Sequence, residues 1–191
     1  MAKEETSAKK PGRPRDPAVE AAVFAAARSL LGEVGYDAVS MEAVAAAAGV
    51  GKQTLYRRWP NKAALLVGAC LVDATERVAD PATGNLEGDI EQFLGGTFAA
   101  LETTGPGLRF LMSQAGLDPS FRERFDADFA SRRRDALREI ICRHVKARRQ
   151  VGPVIDMLYG AMWYRLLLGH GPLDARFARD LAAAAARALA A

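Results

Sequence analysis

The chain has 191 residues and a mass of 20.5 kDa, a length that corresponds to one domain or two small ones. Half of its residues are hydrophobic and 26% are charged, which excludes collagen-like, wholly disordered and disulfide-scaffold proteins. The net charge is +3, and the first 62 residues, with ten basic and seven acidic side chains, contain the whole excess. A basic excess in one segment predicts a polyanionic partner for that segment.

The sequence has none of the usual signals of export or membrane insertion. Its first residues are polar, without the apolar core of a signal peptide, and no stretch reaches about 18 apolar residues without a charge. The two cysteines, Cys70 and Cys142, lie far apart and lack the spacing of a metal site. We therefore expect a soluble cytoplasmic protein with no membrane partner, no metal and no cofactor.

Residues 1–15 are predicted to form a disordered basic arm. The sequence Gly12-Arg13-Pro14 in this arm resembles the core of an AT-hook. Such a core inserts arginine into a narrow minor groove of A·T-rich DNA, which would make Arg13 and Arg15 DNA contacts. The alternative is a solubilising tail that does not touch DNA.

Residues 16–79 have the pattern of four helices. Asp16-Pro17, Ser40 and Asn61 are typical residues at helix amino termini, and apolar residues follow each of them at helical spacing. The predicted helices run over about 16–35, 40–48, 51–59 and 61–79.

A turn-forming stretch at residues 80–85 separates this part from the rest, so we place a domain boundary there. Five further helical patterns follow, separated by Pro or Gly, and no alternating pattern indicates a strand. The predicted body helices are Asp89–Thr104, Gly107–Gly116, Pro119–Arg148, Pro153–Leu168 and Asp174–Ala190. The sequence thus predicts an all-α protein of about nine helices, in which residues 80–191 form the second domain.

The most informative segment runs from Ser40 to Lys62. Two short helices meet at Ala48-Gly49-Val50, a tight turn that is typical of a helix-turn-helix motif. At about 100° per residue, Leu55 and Trp59 share one side of the third helix. The opposite side presents hydrogen-bond donors and little acid, which favours the major groove of DNA over the alternative of a solvated basic face.

Residues 16 to about 66 resemble the DNA-binding domain of the TetR family of bacterial transcriptional repressors. The family commonly has Phe at the position of Trp59. It often has Ser at the position of Gly51, and the glycine would lack the hydroxyl contact of that serine to phosphate. The residues on which the resemblance rests are Gly35-Tyr36, Val44-Ala45, Ala48-Gly49-Val50, Thr54-Leu55-Tyr56, Trp59, Lys62 and Leu65-Leu66.

The resemblance implies a homodimeric repressor in the bacterial cytosol, associated with the nucleoid. It would consist of a three-helix DNA-binding head and a helical effector-binding body. Its two recognition helices would enter successive major grooves of a palindromic operator, about 34 Å apart. Gln53 and Arg57 are suited to base edges. Four others are better placed for phosphates, namely Arg58, Lys62, Tyr56 and the Ser40 hydroxyl. By position, the DNA contacts would be Ser40, Gly51, Lys52, Gln53, Thr54, Tyr56, Arg57, Arg58 and Lys62, besides Arg13 and Arg15 of the arm.

In the body, the helix predicted at Pro153–Leu168 is apolar on nearly every side, which predicts core on one side and a partner subunit on the other. With the alanine-rich last helix, it resembles the four-helix dimer interface of the family. Aromatic and methionine side chains with few charges suit a largely apolar small-molecule effector. The candidate ligand-binding residues are Phe98, Phe110, Met112, Phe125, Met157 and Trp163, with core packing as the alternative for each.

The remaining polar residues of the body suggest no site. We predict His144 on a solvated helix face, His170 in a loop, and Arg132–Arg134 as charged surface. The sequence contains no nucleophile elbow, phosphate loop, metal set or paired Cys and His, so an enzyme is not expected. Two alternatives to the ligand-released repressor stay open: a weakly specific architectural DNA-binding protein, and a redox- or ligand-dependent activator.

Overall fold

The computed structural model describes residues 17–77, 80–146 and 148–190, and the regular elements in these ranges are helices. The predicted basic arm, including Arg13 and Arg15, lies outside the described residues. Within the described ranges, no helix is both long and apolar enough to cross a membrane.

Four helices form the amino-terminal head: α1 at Pro17–Ala38, α2 at Met41–Ala47, α3 at Lys52–Arg58 and α4 at Lys62–Arg77. Their bounds agree with the predicted helices to within a few residues. The structure therefore confirms the four helices that the sequence predicts for this part of the chain.

Side-chain caps explain where two of these helices begin. The Ser40 Oγ accepts the backbone N–H of Ala43 at 3.1 Å, and the Asn61 Oδ1 accepts that of Ala64 at 2.8 Å. Gly35 has φ 74° and ψ 170° inside α1, so the regular helix is interrupted there and its last residues are offset. This interruption lies at the predicted end of the first helix.

The body begins with α5 at Leu86–Leu117, followed by α6 at Pro119–Phe125 and α7 at Ser131–Cys142. A π-helical turn, Asp126–Ala130, joins α6 to α7. A short 3₁₀ turn then precedes the last two helices, α8 at Val151–Leu168 and α9 at Ala175–Ala190. Counted with α6 and α7 as one continuous unit, the described residues form eight helices, close to the expected nine.

The two helices predicted at Asp89–Thr104 and Gly107–Gly116 form a single helix, with Pro106 inside it. Close packing at both neighbouring glycines accounts for this difference. A Cβ at Gly107 would lie 2.7 Å from Leu31 Cδ2, and one at Gly105 would lie 3.1 Å from Leu166 Cδ1. The backbone of α5 is thus held between α1 and α8, and this packing outweighs the hydrogen bond that proline removes.

The long helix predicted at Pro119–Arg148 ends at Cys142, six residues early. The next residue, Arg143, donates hydrogen bonds to the Asp80 carboxylate at 2.6 Å and to the Pro81 carbonyl at 3.2 Å. These contacts join the end of α7 to the segment before α5, residues far away in the sequence.

One hydrophobic cluster runs through both parts of the molecule. α5 lies at its centre and packs against α1 and α4 of the head and against α6, α7, α8 and α9 of the body. Ile90, Phe93, Leu94, Leu108 and Leu111 of α5 are fully buried. Because head and body share this core, a change of packing in the body can reach the head without crossing a flexible linker.

Candidate nucleic-acid interface

The turn between α2 and α3 has the geometry of a helix-turn-helix motif. Gly49 has φ +65°, a left-handed conformation that side chains with a Cβ rarely adopt. The N–H of Gly49 bonds to the Ala46 carbonyl at 3.2 Å, and the N–H of Val50 bonds to the Ala45 carbonyl at 2.9 Å. These bonds fix the direction in which α3 leaves α2.

The inner side of α3 is anchored as the sequence predicts. Leu55 is buried in the core of the head. Trp59, just after α3, packs on Phe24 of α1 with the ring centroids 5.3 Å apart and the planes tilted by 59°. These contacts hold the helix against α1 and leave its other side facing outward.

The outer side of α3 is exposed along its length. The helix begins after Gly51, an exposed N-cap residue with φ −70° and open space around its Cα. Thr54 is half-buried, and the remaining predicted contact residues of this side are exposed, namely Lys52, Gln53, Tyr56 and Arg57. An exposed helix side rich in hydrogen-bond donors is what the major groove of DNA admits.

An acidic residue of α2 borders this surface. The Tyr56 hydroxyl donates a hydrogen bond to Glu42 Oε1 at 3.2 Å, and Lys52 Nζ lies 3.9 Å from the same oxygen. Desolvation raises the pKa of Tyr56, and the charge and hydrogen bond of Glu42 raise it further. The sequence does not indicate these contacts of Glu42, because they depend on how α2 crosses α3.

Two predicted phosphate-binding residues are turned toward α1. Arg58 has a side chain that is only 20% exposed, and its Nη1 lies 3.9 Å from Glu20 Oε2. Lys62 Nζ donates to the Tyr36 carbonyl at 2.9 Å and lies 4.2 Å from the centre of the Tyr36 ring. Lys62 therefore stabilises the fold of the head, and the contact of both side chains with phosphate stays a prediction.

A cavity of about 310 Å³, here called the body cavity, lies between α7 and α8. Its walls include Phe129, Tyr159 and Trp163, and it adjoins a narrower space of about 20 Å³ that shares these three residues. Trp163 is one of the six predicted ligand-binding residues.

Arg133, predicted to lie on a charged surface, is buried beside the body cavity. Its Nη2 donates to Thr97 Oγ1 at 2.6 Å, and its guanidinium carbon lies 4.6 Å from the centre of the Phe93 ring. The Tyr159 hydroxyl donates to the Arg133 carbonyl at 2.8 Å, and burial raises the pKa of Tyr159 to about 12. The prediction for Arg133 was wrong because α7 turns this residue toward α5, while its neighbours face outward.

The other predicted ligand-binding residues do not gather around the body cavity. Phe125 lines a second cavity of about 460 Å³, here called the head–body groove, which lies between α1, α4 and α6. Phe98 stacks on Phe177 at 5.8 Å, and Phe110 stacks on Tyr36 at 3.7 Å.

Met112 is half-buried against the core, and Met157 is exposed on the outer side of α8. The structure thus distributes the six residues over several environments. Which of them contacts a ligand remains a prediction.

The prediction that His144 lies on a solvated helix face was wrong, because its ring contacts a buried carboxylate. His144 lies in the turn after α7, where its Nε2 is 2.8 Å from Asp89 Oδ2. Thr83 donates to the other carboxylate oxygen from its hydroxyl at 2.6 Å and from its backbone N–H at 2.7 Å. The hydrogen bond from the Thr83 hydroxyl has the largest effect on the pKa of Asp89 and the contact with His144 the next largest, and the pKa is lowered to about 2.

His170 lies in the loop after α8, as predicted, with its ring 4.4 Å from that of Tyr164. Among the residues that the structure describes, no group of three or more His, Cys, Asp or Glu side chains is arranged to hold a metal ion.

One side of α8 is exposed although it is apolar. Met157, Tyr164 and Leu168 lie along this side and are 40–64% exposed. The opposite side, which includes Ile155, Leu158 and Met162, is buried in the core. In the single chain, α8 is thus covered on one side only.

A helix-turn-helix head with a donor-rich exposed helix, joined through a common core to a helical body, defines a DNA-binding protein of the helix-turn-helix class. Comparison with known sequences narrows the class further. The family model "Bacterial regulatory proteins, tetR family" matches residues 23–69, and the model "Tetracyclin repressor-like, C-terminal domain" matches residues 80–185. The chain belongs to the TetR family and is a DNA-binding transcriptional regulator.

Individual relatives agree with this assignment. The chain is 32% identical over 178 residues, 90% of each protein, to the HTH-type transcriptional regulator YdeS of Bacillus subtilis. It is 51% identical over 49 residues, 26% of its length, to the DNA-binding transcriptional repressor TetR of Mycobacteroides abscessus. The crystal structure of the TetR family transcription regulator SCO0332 superimposes with a TM-score of 0.72 at 28% identity, covering 86% of this chain and 94% of that one. The predicted all-α fold and family are confirmed.

Proposed function

We propose that the protein is a homodimeric repressor that binds a palindromic operator and releases it when a small, largely apolar molecule occupies its body. The exposed outer side of α3 is the observation that most strongly supports DNA recognition. It presents Gln53 and Arg57 toward solvent, with little acid nearby other than Glu42. Glutamine and arginine form the bidentate base contacts that distinguish purines in the major groove.

The residues around these two provide the contacts to the DNA backbone. Lys52, Thr54 and Tyr56 lie on or beside the exposed side of α3, and the Ser40 hydroxyl keeps its own proton to donate while it caps α2. Gly51 contributes its backbone at the start of α3, and Arg58 and Lys62 reach phosphates after their side chains turn outward. The arm, with Arg13 and Arg15, extends the contact into the minor groove. Such contacts orient the head without selecting a sequence.

A homodimer covers the exposed side of α8. Met157, Tyr164 and Leu168 provide the apolar area, and α9 packs beside α8. Pairing α8 and α9 with the same helices of a second chain gives a symmetric four-helix interface. The two heads are then related by the same two-fold axis as a palindromic operator.

The effector occupies the body cavity beside Phe129, Tyr159 and Trp163. These side chains suit an apolar ligand. The Tyr159 hydroxyl donates to the Arg133 carbonyl of α7, and the Arg133 side chain donates to Thr97 of α5, so the cavity is tied to the packing of α5. The ligand releases DNA because it binds more tightly to a body conformation in which the two recognition helices are wrongly spaced.

The test is selection of random duplex DNA by the purified protein, followed by titration of the selected duplex at several salt concentrations. We expect a palindrome with half-sites about one helical turn apart, bound by one dimer or a pair of dimers. The matched variants Gln53→Ala and Arg57→Ala are expected to relax base preference at separate positions of each half-site. Enrichment of no sequence, with steep salt dependence alone, would contradict the proposal and favour an architectural DNA-binding protein.

A further inference from the structure

The head–body groove is a cavity that the proposed effector site leaves unused. Its apolar walls include Phe24 of α1, Trp59 after α3, Val67 of α4, and Phe121 and Phe125 of α6. Its volume of about 460 Å³ lies within the range of small-molecule sites, and its aromatic walls suit a planar ring system. The body cavity has none of these five residues in its walls.

The charged side chains of the groove favour an anion. Three arginines, Arg58, Arg124 and Arg132, face two carboxylates, Glu20 and Asp128. Arg58 Nη1 is buried and has no hydrogen-bond acceptor among the described residues. The Glu20 oxygen at 3.9 Å is beyond hydrogen-bond distance. A buried guanidinium nitrogen of this kind gains strongly from a carboxylate or sulfonate oxygen placed beside it.

The groove touches the end of the recognition helix directly. Arg58 is the last residue of α3, and Trp59 and Pro60 connect α3 to α4; all three line the groove. At Gly68 of α4, an added Cβ would lie 3.0 Å from Phe24 and 3.7 Å from Trp59 Nε1, so α1, α4 and the end of α3 meet tightly at this point. A molecule in the groove therefore contacts α3 from the side opposite to DNA.

We propose that the head–body groove is a second ligand site, specific for an amphipathic organic anion with an aromatic or alicyclic ring system and one acidic group. The ring system lies between Trp59 and Phe125, and the acidic group accepts a hydrogen bond from Arg58. Occupancy lowers the affinity for DNA, because it neutralises a basic residue of the head and holds it away from phosphate. This last step rests on the proposed function, whereas ligand binding itself does not.

The binding test uses the full-length protein without DNA and the fluorescent probe 1-anilinonaphthalene-8-sulfonate, an aromatic ring system with one acidic group. Arg58→Gln is expected to weaken binding of this probe at least about tenfold, the effect of one charge-assisted hydrogen bond. The matched control is Arg57→Gln, which removes the same charge from the adjacent, exposed residue and is expected to change binding less than about twofold. N-phenyl-1-naphthylamine, which lacks the sulfonate, should bind Arg58→Gln and the unchanged protein equally.

A second pair of variants locates the probe. Ala64→Phe fills the groove from α4 and is expected to abolish binding, whereas the same substitution at Ala99, an exposed residue of α5 outside the groove, is expected to leave it unchanged. Thermal unfolding of each variant verifies that it is folded. Equal effects of the two arginine variants, binding retained in Ala64→Phe, or no binding to the unchanged protein would each overturn the proposed site.

The coupling test adds the probe at saturation to protein bound to a selected operator duplex, or to an arbitrary duplex if no operator is selected. DNA affinity is expected to fall at least about threefold, and Arg58→Gln is expected to remove this response. Probe binding without any change in DNA affinity would overturn the coupling. A failure of sequence selection would contradict the repressor alone, because the probe titration uses no operator.

Discussion

Glu42 places a negative charge beside two residues proposed to bind DNA. Its carboxylate accepts the Tyr56 hydroxyl and lies 3.9 Å from Lys52 Nζ. In the complex this carboxylate would oppose the phosphates that approach the same side chains. The charge that the exposed side of α3 presents to DNA therefore depends on residues of α2 as well as on those of α3.

Glu42→Gln is therefore expected to raise DNA affinity by about threefold to tenfold at low salt, because one repulsive charge is removed from the interface. Fluorescence anisotropy with a labelled duplex measures the change. Glu33→Gln is the matched control, since Glu33 is an exposed acid on α1 whose carboxylate bonds to Ser29. Lower affinity of Glu42→Gln would show instead that Glu42 is needed to orient Tyr56.

Asp89 gives the body a stability that depends on pH. Its pKa in the folded protein is about 2, below the ordinary 3.8, so folding favours the ionised form. The stabilisation is fully present above the ordinary pKa and is lost as pH falls toward the folded value.

In urea unfolding, the free-energy difference between the unchanged protein and Asp89→Asn is expected to be constant above about pH 5 and to shrink between about pH 4 and 2. Thr83→Val removes the hydroxyl that lowers this pKa most, so its loss of stability on acidification is expected to be smaller and to end at a higher pH. A difference that stays constant from pH 5 to 2 would show that the carboxylate is not held in its ionised form.

At the scale of the element, α5 shows packing overriding local preference. Its sequence contains Gly105-Pro106-Gly107, which predicts a break, yet the helix continues from Leu86 to Leu117. The glycines allow α1 and α8 to approach the helix closely. The same residues that weaken α5 as an isolated helix permit the contacts that hold it in the protein.

Gly107→Ala is expected to reduce the free energy of unfolding by about 1–3 kcal/mol, because its Cβ would lie 2.7 Å from Leu31 Cδ2. Gly95→Ala, at a helical position of α5 with open space, is expected to stabilise the protein by about 0.5–1 kcal/mol. Chemical denaturation of the two variants gives the comparison. If both stabilise the protein equally, the contact between α1 and α5 is looser than the structure implies.

For the whole molecule, the exposed apolar side of α8 determines the proposed assembly. Several exposed apolar side chains along one side of a helix are typical of a protein–protein interface. In the proposed dimer, a change in either body cavity would also alter the spacing of the two heads, because α8 contacts α7, α9 and α5.

Tyr164→Glu is expected to convert the dimer into a monomer at micromolar concentration and to lower operator affinity by at least about tenfold, because a charge is buried at the interface. Light scattering after size-exclusion chromatography measures the mass. The control is Leu117→Glu, which introduces the same charge at an apolar residue that is 78% exposed at the end of α5. A dimer that persists in Tyr164→Glu would place the interface elsewhere.

Features that depend on neighbours within one or two helical turns could be predicted from the sequence. The caps at Ser40 and Asn61, the glycine turn at Gly49 and the inward position of Leu55 follow from local spacing, and the structure has all four. The family resemblance rests on these same local residues. For that reason the head was predicted to within a few residues.

Contacts between groups that are distant in the sequence depend on how the helices pack. Arg133 with Thr97, His144 with Asp89, and Arg58 with Glu20 pair across 36, 55 and 38 residues of sequence. Helical periodicity places a side chain on a face, but the angle at which two helices cross determines what that face contacts. Each cavity depends on several such crossings at once. The six ligand-binding candidates could therefore be predicted from their residue types, but the packing of the helices determines where each of them lies.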